Sequence, residues 1–277
     1  MSLRFRNVKQ EKYNLDDLTL EEYEDVIPDR LYKYFTLNTY SKDTLKNNRL
    51  YYSKPSSFND PFDCRIKMNV GDEKSILNTL KLLLGDVFLK NNLSAESLNS
   101  LISNPEGTKR VLNEIILHAL DENLGVCCFS ELATSPLMWA HYADSHKGFC
   151  LEFDPKKEPN IGKKLVPVIY HEDYPEFNLQ ETKKSDLQGR LYRLIASKSD
   201  DWDYEFEWRA IVTPEGGKLY EFSKESLTGV LYGLKTSDED KNEIHELIKS
   251  CNYGEVDFLQ VHEVADSYRI DISTTQR

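Results

Sequence analysis

Apolar positions along the chain change their spacing several times, and each change marks an element. Leu31-Tyr32-Lys33-Tyr34-Phe35 and Leu50-Tyr51-Tyr52 predict strands over 31–36 and 50–53, with a helix over 40–48 between them. Helical spacing takes over at 73–122, where Ile76, Leu77, Leu80, Leu83, Leu84 and Val87 recur, followed by Val111, Leu112, Ile115 and Ile116. Asn104-Pro105-Glu106-Gly107 divides that stretch into at least two helices. Short apolar runs at 125–129, 149–153, 165–170 and 229–233 predict buried strands, and 257–261 and 268–272 add two more. Ser135-Pro136 starts a short helix over 137–143, and Ser237 caps another over 238–250. Residues 179–199 read as helix, and Thr19 with Glu22 forms a capping box for a short helix that Pro28 ends. The pattern as a whole is α+β: one domain over 1–277 with a single mixed or antiparallel sheet and flanking helices. The acidic residues 1–30 form an N-terminal extension, and 73–122 form a helical insertion.

The stretch Trp202–Val212 alternates aromatic and charged residues at a period of two. As a strand it turns Tyr204, Phe206, Trp208 and Ala210 to one face and Glu205, Glu207 and Arg209 to the other. Two carboxylates one pleat apart raise each other's proton affinity, and the guanidinium opposes that. The same row is also what a solvated sheet face looks like.

Composition narrows the setting. The chain has 277 residues, 39% hydrophobic and 30% charged, which suits a folded domain. No apolar run approaches the roughly 20 residues of a membrane span, and Met1-Ser2-Leu3-Arg4-Phe5-Arg6 lacks an apolar signal segment. A net charge of −12 disfavours nucleic acid and anionic membranes. The cysteines Cys64, Cys127, Cys128, Cys150 and Cys251 show no paired spacing, so reduced thiols and a cytoplasmic location are expected. Phosphate loops, GxGxxG, GxSxG and HExxH motifs are all missing.

Several positions can carry chemistry. Lys33 shares a strand face with Leu31 and Phe35, either snorkelling from an edge or meeting a ligand. Ser56-Ser57-Phe58-Asn59-Asp60-Pro61-Phe62-Asp63 is a loop whose short polar side chains fix turns or present Asn59, Asp60 or Asp63 to a ligand. On the helix over 137–143, Trp139 and Tyr142 lie three apart, with His141 on an adjacent face. Asp60, Asp63, His141 and Glu207 are ligand types that suit Mg²⁺ or Mn²⁺, which keeps a metal-dependent hydrolase or nuclease open. Their spacing matches no metal signature, and no metal site is assigned.

The order LYKYF, RLYYSKPSSFNDPFD, FSELATSPLMWAHYADSHKGFCLEFD, WDYEFEWR and GVLYGLKTS, over Leu31 to Ile272, resembles the bacterial family catalogued as domain of unknown function 2971. A second, weaker resemblance is to the ADP-ribosyltransferase superfamily, which places a polar or basic residue on a first strand, Ser or Tyr on a following strand and a glutamate on a later one. That resemblance implies an ADP-ribosyltransferase-like fold and NAD as substrate. Lys33, Ser53, His141 and Glu207 would then be catalytic, and Tyr34, Tyr52, Asn59, Asp60, Glu205 and Arg209 would contact the dinucleotide. Lysine stands where that superfamily has arginine or histidine. A role in phage defence is implied by analogy alone. A non-enzymatic sensor or protein-partner domain is the competing class, in which the acidic surface and aromatic motifs serve contacts.

Overall fold

The computed structural model describes residues 27–65, 67–69, 103–158, 165–178, 194–214 and 216–274, with positions 94, 96, 100 and 192 between them. The expected helices over 19–26, most of 73–102 and 179–191 fall outside the described residues.

Fourteen strands and four α-helices are described. They run β1 (Leu31–Phe35), α1 (Thr39–Asn47), β2 (Arg49–Tyr52), β3 (Lys67–Asn69), α2 (Pro105–Asn123), β4 (Gly125–Ser130), α3 (Pro136–Tyr142), β5 (Phe149–Phe153), β6 (Leu165–Pro167), β7 (Ile169–His171), β8 (Glu176–Asn178), β9 (Ser197–Ser199), β10 (Glu207–Val212), β11 (Lys218–Glu221), β12 (Leu227–Tyr232), α4 (Asp238–Ser250), β13 (Asp257–Glu263) and β14 (Ile270–Thr274). The α+β class expected from the apolar pattern is what forms. Asn38 caps α1, with its side chain accepting from the amides of Tyr40 and Ser41, and Ser135 and Ser237 cap α3 and α4.

Eight strands make the central sheet, in the order β14-β13-β12-β5-β1-β4-β10-β6. It is antiparallel except for β12 and β13, which run parallel because α4 carries the chain back between them. Alternation sends Leu31, Phe129, Leu151, Trp208 and Ala210 to one face, where Leu45 of α1, Leu50 and Tyr52 of β2 and Ile244 and Ile248 of α4 cover them. The opposite face carries Tyr34, Cys150 and Leu231 against Met138 and Trp139 of α3. A ribbon of β2 and β11 lies beside the sheet.

One departure from regularity positions the site. β1 pairs with β5 at five positions but with β4 at one, Tyr32 to Ser130. A regular ladder would continue by setting Lys33, Tyr34 and Phe35 against Phe129, Cys128 and Cys127. Instead the strands part, and β4 turns to Ser53 at the end of β2, where Ser53 and Val126 exchange two backbone bonds of 2.9 Å.

The aromatic segment also departs from the alternating strand expected over 202–212. Residues Asp200–Glu205 form a 3₁₀ turn, Phe206 is left-handed with φ of 47°, and β10 starts at Glu207. Ser199 caps that turn, its hydroxyl accepting from the Asp201 amide. Ser197–Ser199 is strand β9, where the sequence pattern predicted the end of a helix.

Candidate active site

A cavity of about 300 Å³ opens where β1 and β4 separate. Lys33 and Tyr34 come from β1, Ser53 from the end of β2, Asn59 from the loop, Tyr142 from α3, and Glu205, Glu207 and Arg209 from the turn into β10. Its size lies at the small end of the range for ligand pockets, and residues more than 150 positions apart in sequence share its walls.

The inner wall is a buried ionic cluster in which no side chain is more than 5% exposed. Arg209 forks onto Asp63 with contacts of 2.7 and 2.9 Å, and onto Glu207 with contacts of 2.8 and 3.1 Å. Lys198 Nζ donates to Glu205 at 2.6 Å and to Glu207 at 3.1 Å. The guanidinium also donates to the Ile195 carbonyl and lies 5.1 Å from the Phe58 ring centre. Bidentate charge-assisted geometry of this kind fixes both partners. It turns the row Glu205, Glu207 and Arg209 into a buried assembly rather than a solvated face.

Two cations face three carboxylates here, and the imbalance separates the two glutamates. Burial alone would lift the Glu207 carboxyl, but Arg209 and Lys198 outweigh it and hold Glu207 well below the ordinary range. Glu205 goes the other way: burial, then the charge of Glu207, raise its pKa, and Lys198 only partly offsets them. The Tyr142 hydroxyl donates to Glu205 at 2.5 Å and accepts from the Asn59 amide at 3.3 Å. Burial and the adjacent Glu205 push the Tyr142 phenol up, so it stays protonated as a donor. Paired carboxylates pushed in opposite directions are an arrangement able to serve acid/base chemistry, and one that a structural ion network also produces. Phe206, left-handed between them, is the kind of costly backbone that concentrates at functional sites. The Ser130 hydroxyl anchors this turn by donating to the Glu205 carbonyl at 2.5 Å.

Lys33 stands on the opposite wall. It is half-buried, donates to the Cys128 carbonyl at 3.0 Å and lies 5.6 Å from the Phe129 ring and 5.9 Å from the Phe35 ring. Among the described residues it makes no ion pair.

Of the residues singled out in the sequence, Lys33, Tyr34, Ser53, Asn59, Asp63, Tyr142, Glu205, Glu207 and Arg209 line this cavity. Tyr52 does not: it shares the inward face of β2 with Leu50 and packs against Tyr220, and Tyr51 takes the outward position. Asp60 fixes the loop, accepting from the Phe62 amide at 2.9 Å. His141 is exposed, with Nδ1 3.0 Å from the Tyr204 hydroxyl. Asp63 and Glu207 meet on Arg209 but Asp60 and His141 make other contacts, and among the described residues no group of three or more His, Cys, Asp or Glu side chains is placed to hold a metal. Sequence reasoning gave two neighbours of the cluster, Lys198 and Tyr142, no role in the site, although a lysine before WDYEFEWR and Tyr142 on the 137–143 helix both stand out in the sequence. Lys198 fell inside the expected helix, and its signal was the Ser-Lys-Ser alternation just before the Ser199 cap.

Among the described residues no helix is long and apolar enough to cross a membrane. The family described as Protein of unknown function (DUF2971) matches residues 138–210, a span that takes in α3 from Met138 onward, the 3₁₀ turn and β10 as far as Ala210. No curated protein and no solved structure matches the chain.

Proposed function

We propose that the chain is an enzyme that breaks a glycosidic bond of a small substrate in this cavity, with NAD the first substrate to test. It would act as an ADP-ribosyltransferase or an NAD glycohydrolase. One observation carries the reading: Lys33, Ser53, Glu205 and Glu207, far apart in sequence, line a single cavity, and its two glutamates have opposed proton affinities.

The chemistry follows from those residues. As the C–N bond to the ribose breaks, its electron pair leaves with nicotinamide, and positive charge develops on the sugar. Glu207, held ionised, stabilises that oxocarbenium character as carboxylates do in glycoside cleavage. Water or an acceptor hydroxyl then adds to the anomeric carbon and gives its proton to Glu205, whose raised pKa suits a general base. Tyr142 orients Glu205, and Lys33 faces the anionic part of the substrate.

A second reading also rests on an observation. The Glu207 carboxylate is already engaged by Arg209 and Lys198, as a purely structural pin in a binding or sensor domain would be. Calorimetry with NAD, combined with nicotinamide release, separates the two. The enzyme reading expects saturable binding weakened by Lys33→Ala, and turnover lost in Glu205→Gln with binding retained. Absence of saturable binding at millimolar NAD, with folded protein, overturns it in favour of the sensor reading.

A further inference from the structure

Beside the inner cavity lies a second hollow of about 790 Å³, lined by residues of β1, α1, β2 and β11. The two share Lys33, Tyr34, Tyr51 and Ser53, so they adjoin at Lys33, which stands as the neck between them. The outer hollow has an unusual wall. Tyr51 and Leu219 are directly opposed across the β2–β11 ribbon and project from its outer face, 49% and 43% exposed. Tyr40, at the first turn of α1, is 84% exposed. Three of the eight large hydrophobic side chains left exposed among the described residues therefore surround one hollow. Clustered exposed apolar side chains around a concave site mark ligand contact rather than chance. Asn38, Ser41, Asp43 and Thr44 also line it, with the Asn38 and Ser41 side chains engaged in capping α1.

Among the described residues Lys33 makes no ion pair, only a longer-range attraction to the Glu207 charge, while Lys198 and Arg209 in the inner wall pair directly with carboxylates. A cation that meets a carbonyl but no carboxylate at contact distance among the described residues, where two hollows adjoin, fits an anionic group in the middle of a ligand. We infer that the outer hollow is a ring-binding subsite, taking the planar, uncharged base of a nucleotide whose phosphate lies against Lys33. This inference deepens the reading of the inner cavity and rests on it for the ligand's orientation. The recognition itself is independent: aromatic side chains stack on a base of any sequence, and the phosphate supplies the charge.

The test uses the full chain, AMP as the ring-bearing probe and ribose 5-phosphate as the ringless one, read by calorimetry. AMP is expected to bind at least about tenfold more tightly than ribose 5-phosphate, the scale of one stacked base. Tyr40→Ala and Leu219→Ala, both exposed, should each weaken AMP by about three- to tenfold and leave ribose 5-phosphate unchanged. Equal affinity for the two probes, or AMP binding indifferent to both substitutions, overturns the subsite. Failure of the inner-cavity reading looks different: AMP keeps its ring-dependent binding while NAD is not turned over. NAD turnover with KM unchanged in Tyr40→Ala and Leu219→Ala would sink the subsite and leave the inner reading standing.

Discussion

The two walls of the cleft solve opposite problems. On the β10 side, Asp63, Lys198, Glu205, Glu207 and Arg209 are almost wholly removed from water, and each is tied to at least one other. On the β1 side, Lys33 is held by a single carbonyl and two aromatic rings, and Tyr51, Tyr40 and Leu219 stand in solvent beyond it. Burying ions is costly unless every partner is in place, so the first wall is rigid by necessity. The second wall carries no such constraint, because its exposed side chains keep their water. A catalytic constellation needs the first property and a ligand-gathering surface the second.

The largest effect should come from breaking the closed wall. Arg209→Met leaves Asp63, Glu205 and Glu207 buried with Lys198 as their one cation in the cluster, and should cost about 3–5 kcal/mol of unfolding free energy in urea titrations. Lys33→Met, which leaves no buried charge behind, should cost about 1 kcal/mol. Similar losses for both would erase the contrast between the walls.

A pH series sharpens the contrast within the closed wall. Glu207 has a folded pKa below its ordinary value of 4.5, so its stabilisation is complete above that pH and is lost as pH falls. Glu205 has a folded pKa above 4.5, so its contribution is complete below that pH and is lost as pH rises. Glu207→Gln should therefore flatten the acid limb of stability, and Glu205→Gln the limb above pH 4.5. Slopes that change in the same direction in both variants would show that the two carboxylates are not split.

A smaller change is expected at Tyr142. Its hydroxyl favours the ionised form of Glu205, so Tyr142→Phe should move the acid limb of NAD turnover up by about one pH unit or less. An unmoved profile would make the contact structural only. Smallest of all, Tyr40→Ala should change stability by less than about 0.5 kcal/mol, because its ring packs against little.

Much of this was legible in the sequence, and the failures have physical causes. The central strands announce themselves because Gly125–Phe129, Phe149–Phe153 and Gly229–Gly233 sit inside the sheet and carry little polar pattern to confuse. The Ser135-Pro136 start of α3 is a local signal and needs no tertiary context. Trp202–Phe206 misleads because a 3₁₀ turn and a strand can both show alternating aromatic and acidic residues. Ser199 followed by Asp200, Asp201 and Asp203 was the competing signal, a cap with acids in the first turn. The face of Tyr52 was readable from Leu50, its inward neighbour two residues away. That Asp63 would meet Arg209 across 146 positions was not readable, because the pairing depends on where β4 leaves β1.

That divergence has a further consequence for how the protein tolerates change. Strand edges ordinarily recruit other chains, and most proteins guard them. Here two facing edges lie inside one molecule, with Phe58 and Asn59 on one flank and the Ser53–Val126 bridge closing the end. The main chain of β1 and β4 thus lines part of the cleft, and main-chain donors and acceptors survive any side-chain substitution. Under the proposed reading, mutation at Tyr40, Tyr51 or Leu219 would retune which molecule the cleft prefers, while the polar floor beneath them is inherited unchanged.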